Sequence, residues 1–165
     1  MKRILFILAL VMSAMGVMAQ EYVDLGLPSG TLWKTTNEQG ILFTYEDAER
    51  LFGDQLPTQE QLAELAGFCE VTPERGFFRF TGPNGNYILM PALGHREWRG
   101  IVYGVGKIGT YWSRTENKSP MQSNEYHLLT IQSDGGCYTS GSSETAISGH
   151  SVRLVQTPAK TPAYL

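Results

Sequence analysis

Apolar and polar residues alternate along several stretches of the chain, and this period of two predicts β-strands. Residues 22–27 and 126–132 alternate in this way, and the strand-like runs at 77–81 and 86–90 flank the turn sequence GPNG. A second turn sequence, SDGG, follows residue 132. Glycine and asparagine accept the backbone angles of tight turns, so both sequences predict hairpins. Shorter extended segments are predicted at 31–33, 110–113, 137–140 and 151–155.

Two short stretches have the signature of α-helices. Thr44 is placed to cap the first helix, which is expected to end at Gly53. Thr58 is placed to cap the second helix with Gln61 three residues later, and Gly67 is expected to stop it. The sequence therefore predicts an α+β fold, in which antiparallel strands are accompanied by two short helices and one long loop.

The long loop is predicted at residues 94–109, a stretch rich in glycine and mixed in polarity. Loops of this length are uncommon unless they have a function. Trp98 lies between two charged residues and is expected to face solvent, where an aromatic ring beside polar groups suits sugar or peptide surfaces. The alternative, in which Trp98 packs inward and pins the loop, is favoured over a ligand-binding role. The candidate ligand-binding residues are His95, Arg96, Trp98, Arg99 and Tyr103.

The first nineteen residues have the features of an export signal. Lys2 and Arg3 precede an apolar run at residues 4–17, and the small residues Val17 and Ala19 form a cleavage site. The alternative is a membrane anchor, but a spanning helix needs about 20 apolar residues and the run at 4–17 is shorter. No membrane span is therefore expected after cleavage. A single domain is predicted over residues 20–156, with a flexible tail at 157–165. The protein is expected to be exported, with periplasm, cell surface and medium left open.

Composition and charge exclude some partners. Of the 165 residues, 42% are hydrophobic, which is enough to form a core. The net charge of −3 becomes more acidic when Lys2 and Arg3 leave with the signal, and an acidic domain lacks the basic face that nucleic acids require. The oligomeric state stays open.

No catalytic motif is recognisable. The three histidines, His95, His127 and His150, have no partner at metal-ligand spacing. There is no nucleophile elbow and no pair of carboxylates placed for acid–base catalysis. We therefore expect no catalytic residues, no metal and no cofactor.

The chain has two cysteines, Cys69 and Cys137. In an oxidising compartment two cysteines suggest one disulfide bridge. The alternative is two buried free thiols, because cysteine is often buried as a small apolar residue. The sequence leaves both interpretations open.

A series of short motifs in a fixed order resembles the Fibrobacter succinogenes major paralogous domain family. The motifs are YVDLGLPSGTLW (22–33), LPT (56–58), FTGPNG (80–85), MPALGHR (90–96), GTYWS (109–113) and GHSVRLV (149–155). The resemblance covers about residues 21 to 156. Members of that family occur in exported bacterial proteins, many of them from gut Bacteroidetes.

The resemblance implies a C-type-lectin-like fold, in which the first and last strands pair and a long loop precedes the final strands. Thr35 and Thr36 occupy the stretch where family members often carry a cysteine, so Cys69 lacks that partner. The Glu-Pro-Asn and Trp-Asn-Asp triplets of calcium-dependent lectins are absent from the sequence, so the resemblance implies no calcium site.

Together these observations favour a secreted, non-catalytic binding or adhesion module of the cell envelope, with a glycan or a surface protein as ligand. One alternative is a structural envelope component without a small ligand. The other is an oxidase similar to formylglycine-generating enzymes, which share the Leu-Pro-Thr helix start but need reactive cysteines. Such a cysteine arrangement is not recognisable here.

Overall fold

The computed structural model describes residues 21–39, 42–116 and 125–158. The predicted export signal at 1–19 and most of the predicted tail lie outside the described residues. Within the described part of the chain, no helix combines the length and the apolar content needed to cross a membrane.

The protein has a mixed α+β architecture with mostly antiparallel strands and two short α-helices, which confirms the predicted fold class at this level. The elements are β1 (Tyr22–Asp24), β2 (Leu32–Lys34), α1 (Tyr45–Phe52), a 3₁₀ turn (Gly53–Gln55), α2 (Gln59–Phe68), β3 (Glu70–Glu74), β4 (Phe77–Thr81), β5 (Tyr87–Pro91), β6 (His95–Arg96), β7 (Val102–Tyr103), β8 (Gly109–Glu116), β9 (Glu125–Ile131), β10 (Cys137–Thr145) and β11 (Val155–Gln156).

The described strands form three three-stranded sheets and one two-stranded hairpin. The sheet orders are β1-β2-β11, β3-β4-β5 and β10-β9-β8, and β6 pairs with β7. Both predicted hairpin turns are confirmed. The amide of Gly85 donates to the carbonyl of Gly82 at 2.9 Å, and the amide of Gly135 donates to the carbonyl of Gln132 at 2.9 Å.

The last strand pairs with the second strand and not with the first. Val155 is the register partner of Trp33, while β1 lies on the other side of β2. The expected direct pairing of the first and last strands is therefore wrong by one strand position. The strand predicted at 151–155 is also shorter, because only Val155–Gln156 is extended and paired as a strand. Residues 151–154 before it are buried and join other elements through single bridges and hydrogen bonds.

The helix starts follow the sequence closely. Thr44 caps α1, and Thr58 and Gln61 form a capping box at the start of α2, in which each side chain bonds the other residue's backbone amide. The predicted stop at Gly67 is wrong, since Gly67 lies inside α2. The helix ends after Phe68, where the amide of Cys69 still donates to the Leu65 carbonyl at 3.2 Å.

The sheet of β8, β9 and β10 separates two hydrophobic clusters. Successive residues of a strand point to opposite faces. Tyr111 and Leu129 belong to the cluster that also contains Trp33, whereas their neighbours Trp112 and Leu128 belong to the other cluster. Both faces of this sheet therefore pack against a hydrophobic cluster.

Arg153 is fully buried between these elements. Its guanidinium donates to the side-chain oxygen of Asn37 at 2.8 Å, to the carbonyl of Lys34 at 2.8 Å and to the carbonyl of Leu89 at 2.6 Å. Burial lowers the pKa of Arg153 to about 10, so the group stays charged at neutral pH.

Candidate functional site

The predicted long loop contains a hairpin formed by β6 and β7. At its turn, the amide of Glu97 donates to the carbonyl of Ile101 at 2.9 Å, and the amide of Gly100 donates back to the carbonyl of Glu97 at 2.8 Å. Trp98 and Arg99 occupy the two positions between these bonds. The hairpin therefore presents both side chains at its tip.

Trp98 is 63% exposed, so the alternative in which it packs inward is wrong. The guanidinium carbon of Arg99 lies 4.5 Å from the centre of the Trp98 ring, within the range of a cation–π contact. The exposed apolar side chains of this segment are Trp98, Ile101, Val102, Tyr103 and Val105. We call these five side chains, together with Arg99, the hairpin tip.

The hairpin is held firmly against the body of the protein. Arg96 and Gly149 exchange two backbone hydrogen bonds of 2.9 and 2.8 Å. The Arg96 side chain runs over Gly149, where an added Cβ would lie 2.9 Å from Nε. Gly94 has φ of +69°, and a Cβ there would lie 1.8 Å from the carbonyl oxygen of Tyr103. Only glycine allows this close approach of the two backbone segments.

His95 links the hairpin to a buried histidine below it. Its ring centre lies 6.0 Å from that of Tyr103 and 6.2 Å from that of His150. His150 is almost fully buried and meets the Trp112 ring edge-on at 4.4 Å. The three rings His95, Tyr103 and His150 thus connect the hairpin with the sheet of β8–β10.

The protonation of His150 follows from its neighbours. Oγ1 of Thr110 donates its only proton to the carbonyl of Gly94 at 2.9 Å. Nδ1 of His150 lies 2.8 Å from the same Oγ1, so Nδ1 must carry a proton and donate it. Burial, with smaller contributions from His95 and Arg96, lowers the pKa of His150 to about 3. The ring is therefore neutral at physiological pH.

A pocket of about 220 Å³ opens between the hairpin and the sheet of β8–β10, and we call it the sheet pocket. Thr110, Thr130 and Tyr138 are register partners in the three neighbouring strands, so they lie in one row on the same face. Leu128 and Gln132 lie two residues either side of Thr130 on that face. The pocket is lined by His95, Ile108, Thr110, Leu128, Thr130, Gln132, Tyr138 and His150.

A larger cleft of about 550 Å³ lies elsewhere, lined by Asp54, Gln55, Arg114, Val155, Gln156 and Thr157. It contains none of the predicted site residues. Because the chain continues from this cleft into residues outside the described part, we assign no ligand to it.

The structure contains both cysteines as free thiols, with Cys69 buried and Cys137 half-buried. Burial raises the pKa of the Cys69 thiol to about 11, and the charge of Cys137 adds to the shift, so the two groups lie in the same region. Burial also raises the pKa of Cys137. Protonated thiols are poor nucleophiles, and the oxidase alternative stays a hypothesis. The disulfide between them stays a prediction.

Within residues 21–39, 42–116 and 125–158, no three His, Cys, Asp or Glu side chains lie together so that they could hold a metal ion. The predicted ligand-binding residues all lie on the hairpin, and His95 alone among them also lines the sheet pocket.

Sequence reasoning missed the residues below the hairpin. Thr130 and Gln132 alternate with the buried Leu129 and Ile131, and a polar strand face of this kind normally faces water. The alternation was a visible signal, but only the folded chain shows that the hairpin stands beside this face.

Comparisons of the chain with protein-family models, with curated proteins and with solved structures gave no match. The family resemblance therefore depends on the sequence motifs alone and stays a prediction, as does the C-type-lectin-like fold.

Proposed function

We propose that this protein is an exported, non-catalytic binding module of the cell envelope, and that the hairpin tip contacts its ligand. The observation that carries the proposal is the exposure of Trp98 on a hairpin that is fixed to the protein. Trp98 is one of five exposed apolar side chains on this segment, and a cluster of this kind is typical of an interaction site.

The rigid support of the tip strengthens the proposal. Backbone bonds between Arg96 and Gly149, and between Gly106 and Ala92 at 2.7 Å, hold the hairpin at two places. A surface that is ordered before binding loses less conformational entropy when a ligand arrives, and this increases affinity.

We favour a glycan as the ligand. Flat aromatic rings bind the C–H faces of sugars, and the neighbouring arginine and histidine side chains supply hydrogen-bond donors for hydroxyl groups. Trp98, Tyr103, Arg99 and His95 provide this combination on one hairpin. The resemblance to a family of exported bacterial proteins supports the same role.

Glycan-array binding and pull-down from host or dietary material test the proposal with wild type and Trp98→Ala. We expect Trp98→Ala to reduce binding at least tenfold, because hot-spot tryptophans contribute about 2 kcal/mol or more. Phe68→Ala is a matched control, since Phe68 is 55% exposed but lies on α2. Equal binding by wild type and Trp98→Ala would contradict the proposal. Binding to proteins only would overturn the choice of a glycan.

A further inference from the structure

The sheet pocket differs from the hairpin tip in both shape and chemistry. We infer that it holds a single uncharged, hydroxyl-rich ring, namely one neutral sugar residue of the ligand. This inference rests on the proposed function for its biological setting, but it concerns different residues and has its own test.

The size of the pocket limits the ligand. Pockets for drug-sized molecules have volumes of roughly 300–1,000 Å³. At about 220 Å³ the sheet pocket is smaller, so it accommodates one ring and not an extended molecule.

The charge of the pocket disfavours ionic ligands. Among the described residues that line it, none carries a carboxylate, ammonium or guanidinium group. His150 is neutral, and Arg96, which acts on it electrostatically, does not line the pocket. Apart from the imidazole of His95, no lining side chain offsets the charge of an ionic ligand, which would lose its hydration on entry. The lining therefore favours a neutral ligand.

The polar side chains of the wall can both donate and accept hydrogen bonds. Nε2 of Gln132 donates to the hydroxyl oxygen of Tyr138 at 3.2 Å. The hydroxyl proton of Tyr138 is then available for a ligand, and so is the carbonyl oxygen of the Gln132 amide. Thr130 lies beside them in the row. Sugar hydroxyl groups likewise donate and accept, so they match this wall.

The same pocket offers apolar surface. Ile108 and Leu128 contribute aliphatic groups, and the rings of Tyr138 and His95 are accessible. A pyranose ring has hydroxyl groups at its edge and C–H groups on its faces, so it satisfies both kinds of wall. An aliphatic peptide side chain would bury the side-chain carbonyl of Gln132 and the hydroxyl proton of Tyr138 without partners, which costs about 1–3 kcal/mol per group.

His95 connects this pocket with the proposed binding surface. It lines the pocket and lies 6.0 Å from the ring of Tyr103 on the hairpin. A terminal sugar in the pocket is therefore adjacent to the hairpin, where the rest of a glycan would lie.

The test titrates the full chain with neutral monosaccharides (glucose, galactose, mannose and N-acetylglucosamine) and follows amide NMR shifts, with glucuronate as the charged comparison. We expect at least one neutral sugar to bind with a Kd of about 1–10 mM. Gln132→Ala should weaken its binding about tenfold, and Tyr138→Phe, which removes only the hydroxyl group, about three- to tenfold. Tyr87→Phe, at another exposed tyrosine, should leave binding unchanged.

Trp98→Ala separates the two proposals. We expect it to leave monosaccharide binding within about twofold while reducing binding of longer glycans. The inference is overturned if no neutral sugar saturates, if glucuronate binds as tightly as its neutral analogue, if Gln132→Ala binds like wild type, or if an uncharged amino-acid amide occupies the pocket instead. Each variant is first shown to be folded by its amide spectrum.

Discussion

Arg153 donates a 2.6 Å hydrogen bond from Nη2 to the carbonyl oxygen of Leu89, which brings the buried segment before β11 against β5. Two further bonds, to Asn37 and to the Lys34 carbonyl, join the same guanidinium to β2 and the segment after it. All three acceptors are uncharged. The arginine therefore acts as a structural cross-link and not as half of an ion pair.

We expect Arg153→Lys to lower the free energy of unfolding by about 3 kcal/mol. A lysine ammonium cannot match the planar fork of donors, so buried acceptors would lose their partners. Urea unfolding followed by tryptophan fluorescence measures the change. Arg50→Lys is the matched control, because the Arg50–Asp47 pair is exposed and such pairs contribute less than about 1 kcal/mol. Equal effects of the two substitutions would contradict the cross-linking role.

Gly94→Ala tests how the hairpin is seated. The new Cβ would overlap the carbonyl oxygen of Tyr103, so we expect a loss of about 3 kcal/mol in the free energy of unfolding. Gly100→Ala is the comparison, because Gly100 also has positive φ but has nothing within 4 Å of the added Cβ. It should cost only about 1 kcal/mol, for the backbone angle. Thermal unfolding measures the stability loss of both variants. A loss for Gly94→Ala no larger than that for Gly100→Ala would refute the close approach of the two backbone segments.

Stability should fall as the pH drops below 6.5, because of His150. The pKa of His150 is lowered to about 3 in the folded protein, while the unfolded chain takes up the proton near 6.5. Between these values the unfolded state binds more protons, so each unit of pH removes up to about 1.4 kcal/mol of stability. Above pH 6.5 this contribution is constant.

His150→Asn isolates the effect, since its amide nitrogen can still donate to Thr110 in place of Nδ1. The difference between the stability–pH curves of wild type and variant should flatten above pH 6.5. An NMR titration of the wild-type imidazole gives a second readout, and a His150 pKa close to 6.5 would disprove the prediction.

Cys69 should react slowly in the reduced, folded protein. With a pKa near 11 in place of 9.0, the thiolate fraction at pH 8 falls about 100-fold, and alkylation by iodoacetamide should slow to the same degree. Mass spectrometry of the labelled protein measures the rate, with urea-unfolded protein as control. The mass of the unreduced protein separately tests the predicted disulfide, which would remove two hydrogens. Labelling of folded Cys69 at the unfolded rate would contradict its burial.

Local signals in the sequence were sufficient for most elements. Thr44 and Thr58 cap the helices because their hydroxyl groups bond nearby amides, and the two turn sequences close hairpins for equally local reasons. The end of α2 was missed because Gly67 is compatible with the inside of a helix as well as with its end.

Relationships between residues far apart in the sequence were harder to predict from the sequence. The segment around Arg153 alternates like a strand, yet all of residues 151–155 are buried and only Val155–Gln156 forms a strand, while Ser151 makes a single bridge to Tyr111. The charged neighbours of Trp98 pointed to solvent, but the sequence favoured inward packing of its ring, and the exposure is known only from the structure. By contrast, the sheet pocket requires the positions of β6 and β8–β10 relative to one another, and no short stretch of sequence contains that information.

The two-faced sheet of β8–β10 also affects how this protein can change over time. Substitutions at positions 130, 132 or 138 alter the polar wall of the sheet pocket, while the intervening residues that anchor the strands keep their contacts. The chemistry of this wall can therefore diverge among descendants of this chain without loss of the architecture beneath it.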